Sequence, residues 1–307
     1  MKRLIATWLA IVFICASNVT GAHITLNYPG ADFTFLEDID GNNIIGYYID
    51  TNGTPNGFVY NGVSWGVPIN YFGANGTQPS GIDGNNIIGS YCDYTSEEWL
   101  GFIYDSVTSW TTLNMPGTSY VSPWGISGDN IIGSYDDAIY SHGFIFDGTD
   151  WTTLDYPGAI YTNLLDISGN IIVGYEEGSP IGDHGFFYNG TSWTTLDYPG
   201  AYGTYPCGVD GQNIVGYYTN ESGHHGFLYN GTWITIDIPG AVWTELYGIS
   251  GNKIVGKYGG DGFSNSQGFV YTIPEPSTRI LLLTAFTTGV AYFASRKFKR
   301  GSRSTTM

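Results

Sequence analysis

The chain has 307 residues, among them 45 glycines and 25 tyrosines, and it carries 10 basic against 27 acidic residues, a formal net charge of −17. Only 12% of the residues are charged, whereas a typical globular domain is about 25% charged. This shortage of Lys, Glu and Arg argues against helices and coiled coils, and the abundant Gly and Tyr favour short strands joined by turns. A hydrophobic content of 42% excludes intrinsic disorder.

The N-terminus has the three parts of a secretory signal peptide. Lys2 and Arg3 form the charged region, an apolar stretch follows, and small residues precede the predicted cleavage after Ala22. We therefore predict that residues 1–22 direct export and that 23–273 is the exported domain. A retained N-terminal anchor is the alternative.

Internal repeats organise the exported domain. A Gly-Phe pair recurs at intervals of 41 to 44 residues, beginning at Gly57, Gly101, Gly143, Gly185, Gly226 and Gly268. Two further markers keep the same phase: an Ile/Val-Gly pair that precedes a tyrosine, and a turn that resembles Tyr-Pro-Gly-Ala. Three markers in phase indicate six copies of one unit of about 42 residues.

Each copy contains four segments of strand length, separated by Gly/Asn/Ser turns. In the fourth copy these segments are 161–167, 171–175, 185–188 and 193–198. Aromatic and β-branched residues fill them, as strands require. Four strands in a unit of about 40 to 45 residues match one blade of a β-propeller. A solenoid of stacked β-units is the rival.

The ends of the repeat region favour a closed ring. The last copy stops at Pro274 without its fourth strand, and residues 24–31 match the fourth strand of another copy, at 152–159. A closed ring explains why the fourth strand of the last copy lies at the N-terminus, because there it completes the last blade and covers its edge. We predict an all-β, six-bladed β-propeller closed by residues 24–28, plus an N-terminal signal helix and a C-terminal transmembrane helix.

Most basic residues lie outside the exported domain. Residues 23–273 contain 26 acidic residues but only Lys253 and Lys257, a net charge of −24 with no arginine. We expect no nucleic-acid partner, because phosphate neutralisation needs a basic surface. Enzymes that grip a sugar carboxylate with arginines are excluded as well.

Two acids occupy a repeated position on the first strand of a blade. Asp38 and Asp166 stand there in blades one and four, and the other four blades have glycine. In a six-membered ring the two carboxylates face each other across the channel, and the glycines leave space for a ligand. We predict a channel site for a ligand or cation; a catalytic pair for glycoside hydrolysis and two solvated acids are the alternatives.

Tryptophans fall into two groups. Five recur at the start of the fourth strand and are predicted to pack in the core or between blades: Trp65, Trp110, Trp151, Trp193 and Trp233. Trp99, Trp124 and Trp243 are outside this register, so we predict that they are exposed and contact a glycan.

Histidine and cysteine give no metal or redox motif. His142, His184 and His225 each precede a Gly-Phe pair, but strands about 4.8 Å apart place them too far apart in successive blades to share one metal. We predict a repeated structural role. Cys92 and Cys207 lie in opposite blades, beyond the reach of a disulfide. The sequence shows no Ser-His-Asp arrangement, and we predict no catalytic residue and no cofactor, with calcium left open.

The C-terminus combines three features in a fixed order. Pro274-Glu275-Pro276 precedes an apolar run at 280–294, and a basic cluster follows it. Basic residues stay cytoplasmic, which places the upstream chain outside the inner membrane. Together these features resemble the PEP-CTERM sorting domain of Gram-negative bacteria, over about the last 35 residues.

This resemblance implies recognition by exosortase, a membrane transpeptidase, and removal of the tail after a transient stay in the inner membrane. It also implies an association with extracellular polysaccharide and biofilm matrix. The repeats resemble the HAF-type extracellular repeats of bacterial surface proteins, which implies a location at the cell surface or in the matrix.

The leading hypothesis is therefore an exported, non-catalytic propeller that binds or supports extracellular polysaccharide. A carbohydrate-active enzyme that uses channel acids, similar to a glycoside hydrolase, is one alternative. A calcium-dependent surface adhesin is the other.

Overall fold

Six antiparallel sheets follow one another along the chain in a computed structural model, and each sheet forms one blade. The structure describes residues 22–105, 109–118, 120–137, 139–177, 182–260 and 266–274. All regular elements in these ranges are strands, so the predicted all-β six-bladed propeller is confirmed. The predicted signal and C-terminal helices lie outside the described residues. Within those residues, no helix is long and apolar enough to cross a membrane.

The strands are numbered in chain order. The N-terminal strand is β1 (Ala22–Thr25), and blade 1 contains β2 (Phe33–Asp40), β3 (Asn43–Ile49) and β4 (Pro55–Tyr60). Blade 2 contains β5 (Ala74–Asp83), β6 (Asn86–Asp93), β7 (Trp99–Asp105) and β8 (Ser109–Leu113). Blade 3 contains β9 (Val121–Ser127), β10 (Asn130–Asp136), β11 (Ser141–Phe146) and β12 (Trp151–Thr153).

Blades 4 to 6 repeat the pattern. Blade 4 contains β13 (Tyr161–Ser168), β14 (Ile171–Glu177), β15 (His184–Tyr188) and β16 (Trp193–Thr195). Blade 5 contains β17 (Gly203–Asp210), β18 (Asn213–Asn220), β19 (Gly223–Tyr229) and β20 (Trp233–Ile236). Blade 6 contains β21 (Trp243–Ser250), β22 (Lys253–Gly259) and β23 (Gln267–Thr272).

The N-terminal strand completes blade 6, as predicted. β1 pairs antiparallel with β23, in register from Ala22↔Thr272 to Thr25↔Phe269. The contact continues beyond the strand, because the Leu26 N–H donates to the Gly268 carbonyl at 2.8 Å and Asn27 Oδ1 accepts the Gly268 N–H at 3.1 Å. The two ends of the propeller are thereby joined by hydrogen bonds.

Blade 1 departs from the predicted four strands, since β2, β3 and β4 alone form its sheet. Its outer segment makes only isolated bridges, Tyr60↔Trp65 and Gly57↔Ile69. Pro68 lies between these two bridges and has no N–H to donate, so a continuous ladder cannot form there.

The core lies between blades and is built from the repeat markers. The phenylalanine of each Gly-Phe pair is fully buried: Phe58, Phe102, Phe144, Phe186, Phe227 and Phe269. The five repeated tryptophans pack against the first five of these rings at centroid distances of 4.9–5.0 Å, which confirms their predicted packing role. The glycine before phenylalanine is required by space: a Cβ on Gly143 would lie 2.4 Å from the Leu154 carbonyl oxygen.

The turns between the first and second strands form a closed ring of hydrogen bonds, which we call the turn ring. In each blade an Asp or Ser side chain accepts the glycine N–H of the next blade's turn, and Ser250 of blade 6 accepts from Gly41 of blade 1 at 3.0 Å. The other five links join Asp40 to Gly84, Asp83 to Gly128, Ser127 to Gly169, Ser168 to Gly211 and Asp210 to Gly251. All six glycines have φ near +60°, a conformation that L-residues with a side chain rarely adopt.

Replacing Asn27 by alanine tests the closure. We expect the free energy of unfolding to fall by about 1–2 kcal/mol, because the Gly268 N–H loses its acceptor. Urea unfolding of Asn27→Ala measures the change, and Thr152→Ala, on the exposed face of β12, is the control. Equal stabilities of the two variants would contradict a closing role for Asn27.

Candidate functional site

Every inner strand contains a β-bulge at the same position of its blade, and β5 has a second irregularity between Ala74 and Thr77. The register with the second strand shifts there by one residue. The extra residues of the six blades are Glu37, Ser80, Trp124, Leu165, Cys207 and Tyr247. Bulges re-aim side chains and are over-represented beside functional sites. Here four of the extra residues, Glu37, Ser80, Trp124 and Tyr247, line a single cavity at one mouth of the channel.

This cavity exists because the ring of side chains around the channel is asymmetric. Blades 2 and 3 contribute small or polar residues, namely Gln78, Ser80, Ser90 and Ser122. Blades 1 and 5 fill the equivalent space with stacked aromatic pairs, Phe35 on Tyr47 at 4.6 Å and Tyr205 on Tyr217 at 4.7 Å. The result is a cavity of about 530 Å³, which we call the aromatic cavity, bordered by blades 1, 2, 3 and 6.

Aromatic rings line much of this cavity. Trp99 begins β7, Tyr120 precedes β9, and Trp124 is the bulge residue of blade 3, with 39% of its surface exposed. Tyr47 and Tyr247 add two further rings. The structure therefore brings together Trp99 and Trp124, two of the three tryptophans that the repeat register singled out.

The third tryptophan contradicts our expectation of exposure. Trp243 is the first residue of β21 and only 6% exposed. Its indole lies against Gly259, its partner on β22, where a Cβ would come within 2.6 Å of the ring. The glycine makes the space that the indole fills, so Trp243 packs inside blade 6 and cannot present a surface to a glycan.

Glu37 is the acidic residue of the aromatic cavity. Its side chain is half-buried and lines the cavity, and no residue that the structure describes donates a hydrogen bond to it. Burial raises the pKa of Glu37 to about 7; the Lys257 charge opposes this and the Glu245 charge adds to it. Near neutral pH both the protonated and the ionised forms of the carboxyl are therefore populated.

A second carboxylate beside the cavity is firmly held. Glu245 is buried and accepts hydrogen bonds from His224 Nδ1, at 2.5 Å, and from the Tyr247 hydroxyl, and Lys257 Nζ lies 3.2 Å from it. Burial raises the pKa of Glu245, but the His224 hydrogen bond and the Lys257 charge outweigh it and lower the pKa below its usual range. Glu245 is therefore an ionised anchor for Tyr247 and Lys257.

Sequence reasoning missed both glutamates. The usable signal was Lys257, one of only two lysines in the exported domain, which lies directly opposite Glu245 in the β21–β22 register. Glu37 carried no such signal, because the cavity that it lines is formed by residues of four different blades.

Asp38 and Asp166 lie at the opposite mouth of the channel, around a smaller polar cavity of about 130 Å³. Asp38 accepts the N–H groups of Ile39 at 2.7 Å and of Ile82, in the next blade, at 2.9 Å. Asp166 makes the same two contacts, with Ile167 and with Val209 of blade 5, both at 2.7 Å. Every oxygen of the two carboxyls thus accepts a backbone N–H, and each aspartate joins two blades.

Burial raises the pKa of both aspartates, that of Asp38 to about 7, and the charge of Asp38 further raises the pKa of Asp166. The glycines of this ring do not leave room for a ligand, contrary to our expectation. A Cβ on Gly248 would lie 2.8 Å from Asp38 Oδ1, and one on Gly125 would lie 2.8 Å from Asp166 Cα. They allow neighbouring inner strands to approach. Among the described residues, no group of three or more His, Cys, Asp or Glu side chains is placed to hold a metal ion.

The three repeated histidines form one structural motif. Their Nδ1 atoms lie 2.7–2.9 Å from aspartates of the following strand connection, in the pairs His142–Asp155, His184–Asp197 and His225–Asp237. The other oxygen of each aspartate accepts the N–H of the Gly-Phe glycine. The pairs thus fix the third strand to the chain that leaves the blade, as the structural prediction for these histidines requires.

In blade 5 a serine contacts the histidine of this motif. The expectation that the chain has no Ser-His-Asp arrangement is therefore wrong. Ser222 Oγ lies 2.7 Å from His225 Nε2, and it also lies 2.7 Å from Asn220 Oδ1. The serine is exposed on the turn between β18 and β19 and borders neither channel cavity. Since the same His–Asp pair recurs without this serine contact, the arrangement stabilises a turn.

Comparison with known proteins identifies the class of fold. No family model matches the chain, and no curated protein matches it. A protein assigned as TolB from Agrobacterium tumefaciens is similar over 78% of this chain and 90% of its own, with a TM-score of 0.54 and 14% identity. The β-propeller domain of the Trilobed protease from Pyrococcus furiosus is similar over 78% and 95%, with a TM-score of 0.51 and 11% identity. TolB from Acinetobacter baumannii is similar over 75% and 64%, with a TM-score of 0.50 and 11% identity. At these identities the likeness establishes a β-propeller and nothing finer.

Replacing Asp38 by asparagine distinguishes a structural role from a ligand or cation site. We expect the free energy of unfolding to fall by about 1–3 kcal/mol, because an amide nitrogen cannot accept the N–H of Ile39 or Ile82. Thermal and urea unfolding with calcium or a chelator measure it, and the exposed Asp32→Asn is the control. Unchanged stability in the chelator, with loss of a calcium-induced rise in melting temperature, would contradict the structural role and favour a cation site.

Proposed function

We propose that the chain is an exported, non-catalytic β-propeller that binds polysaccharide of the extracellular matrix in the aromatic cavity. One observation carries the proposal: Trp99, Tyr120 and Trp124 converge on a cavity at the mouth of the channel. The apolar faces of sugar rings stack on aromatic side chains, and buried rings supply large contact areas. A cavity of about 530 Å³ falls in the range of ligand sites and has room for one or two sugar units.

The polar groups of the cavity suit hydroxyl-rich ligands. Gln78, Ser90 and Ser122 offer both donors and acceptors to the cavity, and Ser80, whose hydroxyl donates to the Pro123 carbonyl at 2.6 Å, offers an acceptor. A few placed polar groups on an apolar surface fix the orientation of a ligand. The absence of arginine from 23–273 argues against acidic sugars as the ligand.

Export and sorting rest on the two ends of the sequence. The signal segment at 1–22 and the tail that resembles a PEP-CTERM domain support passage across the inner membrane of a Gram-negative bacterium, processing by exosortase, and release to the cell surface or matrix. Pro274 is the last described residue, and Glu275, Pro276 and the apolar run at 280–294 lie outside the described residues.

A carbohydrate-active enzyme is the second candidate. Glu37 has a raised pKa and Glu245 a lowered one, and carboxyl pairs whose pKa values are pushed apart are typical of a general acid and its partner. Binding is favoured over hydrolysis because the Glu245 oxygens are already engaged by His224, Tyr247 and Lys257, and Glu245 does not line the cavity.

A glycan array with a parallel hydrolysis assay tests the proposal. We expect binding without turnover, and a loss of at least tenfold in affinity, about 1.4 kcal/mol, for Trp99→Ala and for Trp124→Ala. Tyr202→Ala removes an exposed aromatic ring away from the cavity and is the matched control. Turnover, or equal affinities of all three variants, would contradict a non-catalytic site in this cavity.

Replacing Pro274, Glu275 and Pro276 together by alanine tests sorting. We expect the unprocessed chain to accumulate in the membrane fraction, because the tail at 280–294 is no longer removed. Immunoblotting of membrane and extracellular fractions measures this, with the remote Asp32→Asn variant as control. Normal release of the triple variant would contradict exosortase recognition at this motif.

A further inference from the structure

The aromatic cavity has a distinct electrostatic character. Glu37 is its single Asp, Glu, Lys, Arg or His among the described lining residues, and no described residue donates a hydrogen bond to it. A carboxyl within a protein wall is normally paired with a donor or a cation, because an unpaired charge there is costly. The cavity therefore offers an unmatched acceptor that a bound ligand can satisfy.

The protein already shows how a cation is held beside this cavity. Lys257 Nζ lies 3.2 Å from Glu245, with the Tyr247 ring centroid 4.9 Å away and the Phe35 centroid 5.5 Å away. An ammonium group is thus held between a carboxylate and aromatic faces, where the charge–quadrupole attraction adds to the ion pair. Glu37 and the rings of the aromatic cavity repeat this combination, but among the described residues no cation lies within ion-pair distance of Glu37, and the Lys257 charge only partly offsets its burial.

The net charge of the whole domain also favours a cationic ligand. Residues 23–273 carry a net charge of −24, so the surface attracts cations and repels anionic chains. Charge of one sign raises the local concentration of an oppositely charged ligand and its association rate. An uncharged sugar would gain nothing from this field, and a uronic acid or sulfated sugar would be repelled.

We propose that the aromatic cavity binds a sugar that carries a protonated amino group, with the ammonium against the Glu37 carboxylate and the ring on Trp99 and Trp124. This inference rests on the proposed glycan-binding function and names its ligand class, an amino sugar within a polysaccharide. The wide indole faces at the mouth favour a flat sugar ring over a thin, flexible polyamine, which has no face to stack.

Protonation of Glu37 makes this binding dependent on pH. An ammonium ligand binds the ionised carboxyl, so below a pH of about 7 binding must displace a proton, and affinity falls. The ionisable groups that act on Glu37 or respond to it come from β2, β3, β17, β21 and β22: Asp38, Tyr47, Cys207, Glu245, Tyr247 and Lys257. Among them, Lys257 is paired with Glu245.

Calorimetry with three probes tests the inference on the propeller: a β-1,4-linked glucosamine tetramer, its fully N-acetylated counterpart, and spermidine. At pH 7.0, where both the amino groups of the tetramer and the Glu37 carboxyl are partly ionised, we expect the intact protein to bind the glucosamine tetramer at least tenfold more tightly than the acetylated one. Glu37→Gln should reduce this preference to less than twofold, and the control Tyr202→Ala should keep it. Melting temperatures of both variants show whether the fold is intact.

A permanently charged N,N,N-trimethylglucosamine tetramer isolates the titration of Glu37. We expect its affinity to fall at least threefold from pH 8 to pH 6 in the intact protein and to stay level in Glu37→Gln. Equal binding of the glucosamine and acetylated tetramers, with loss of both in Trp99→Ala, would overturn this inference and leave the proposed glycan site standing. Binding of spermidine alone would overturn the sugar ligand, and no binding of any probe would overturn the inference.

Discussion

The close approach of six inner strands around one axis is the constraint on which the rest of this structure depends. Each inner strand contacts its two neighbours, and β21 contacts β2 to close the ring. Four blades have glycine at the point of close approach, and there a side chain would collide: a Cβ on Gly208 would lie 2.3 Å from the Tyr247 carbonyl oxygen. Where a blade has aspartate instead, as at Asp38, the side chain spans to the next blade and accepts its backbone N–H. In the turn ring, an Asp or Ser side chain likewise accepts a backbone N–H of the next blade, here that of a glycine, at all six junctions.

Because the ring fixes the inner strands, the residues at the bulges are free to vary. Each bulge adds one residue without a ladder partner, so the side chain of that residue does not have to make the same packing contact in every blade. The chain uses this freedom unevenly: Tyr247 fills the channel mouth, whereas Ser80 leaves it open. A symmetric set of tyrosines would have closed the mouth. The cavity therefore follows from differences between repeats, while the ring follows from what the repeats share.

This division explains how much the sequence predicts. The blades, their core phenylalanines and the closure by β1 follow from markers that recur in phase, and the structure confirms them. Strict alternation fails at the bulge: Thr34 and Leu36 are buried, but the next buried residue is Ile39. A period of two therefore misplaces Asp38, which alternation would bury beside Thr34 and Leu36. Trp243 was misjudged for a related reason, because the space for its indole is made by Gly259, a residue on another strand.

The acidity of the domain has a structural origin that makes Glu37 stand apart. Many of its carboxylates accept backbone N–H groups: Asp38 and Asp166 between blades, Asp40 in the turn ring, and Asp155 beside its histidine. In a chain with two lysines and no arginine between 23 and 273, backbone amides take the place that basic side chains hold elsewhere. The Glu245 carboxylate is also paired, but with the side chains of His224, Tyr247 and Lys257. Glu37 has no hydrogen-bond or ion-pair partner among the described residues, and it lines the cavity on which Trp99 and Trp124 converge. The Glu37 carboxyl therefore keeps acceptor atoms that a ligand in the aromatic cavity can satisfy.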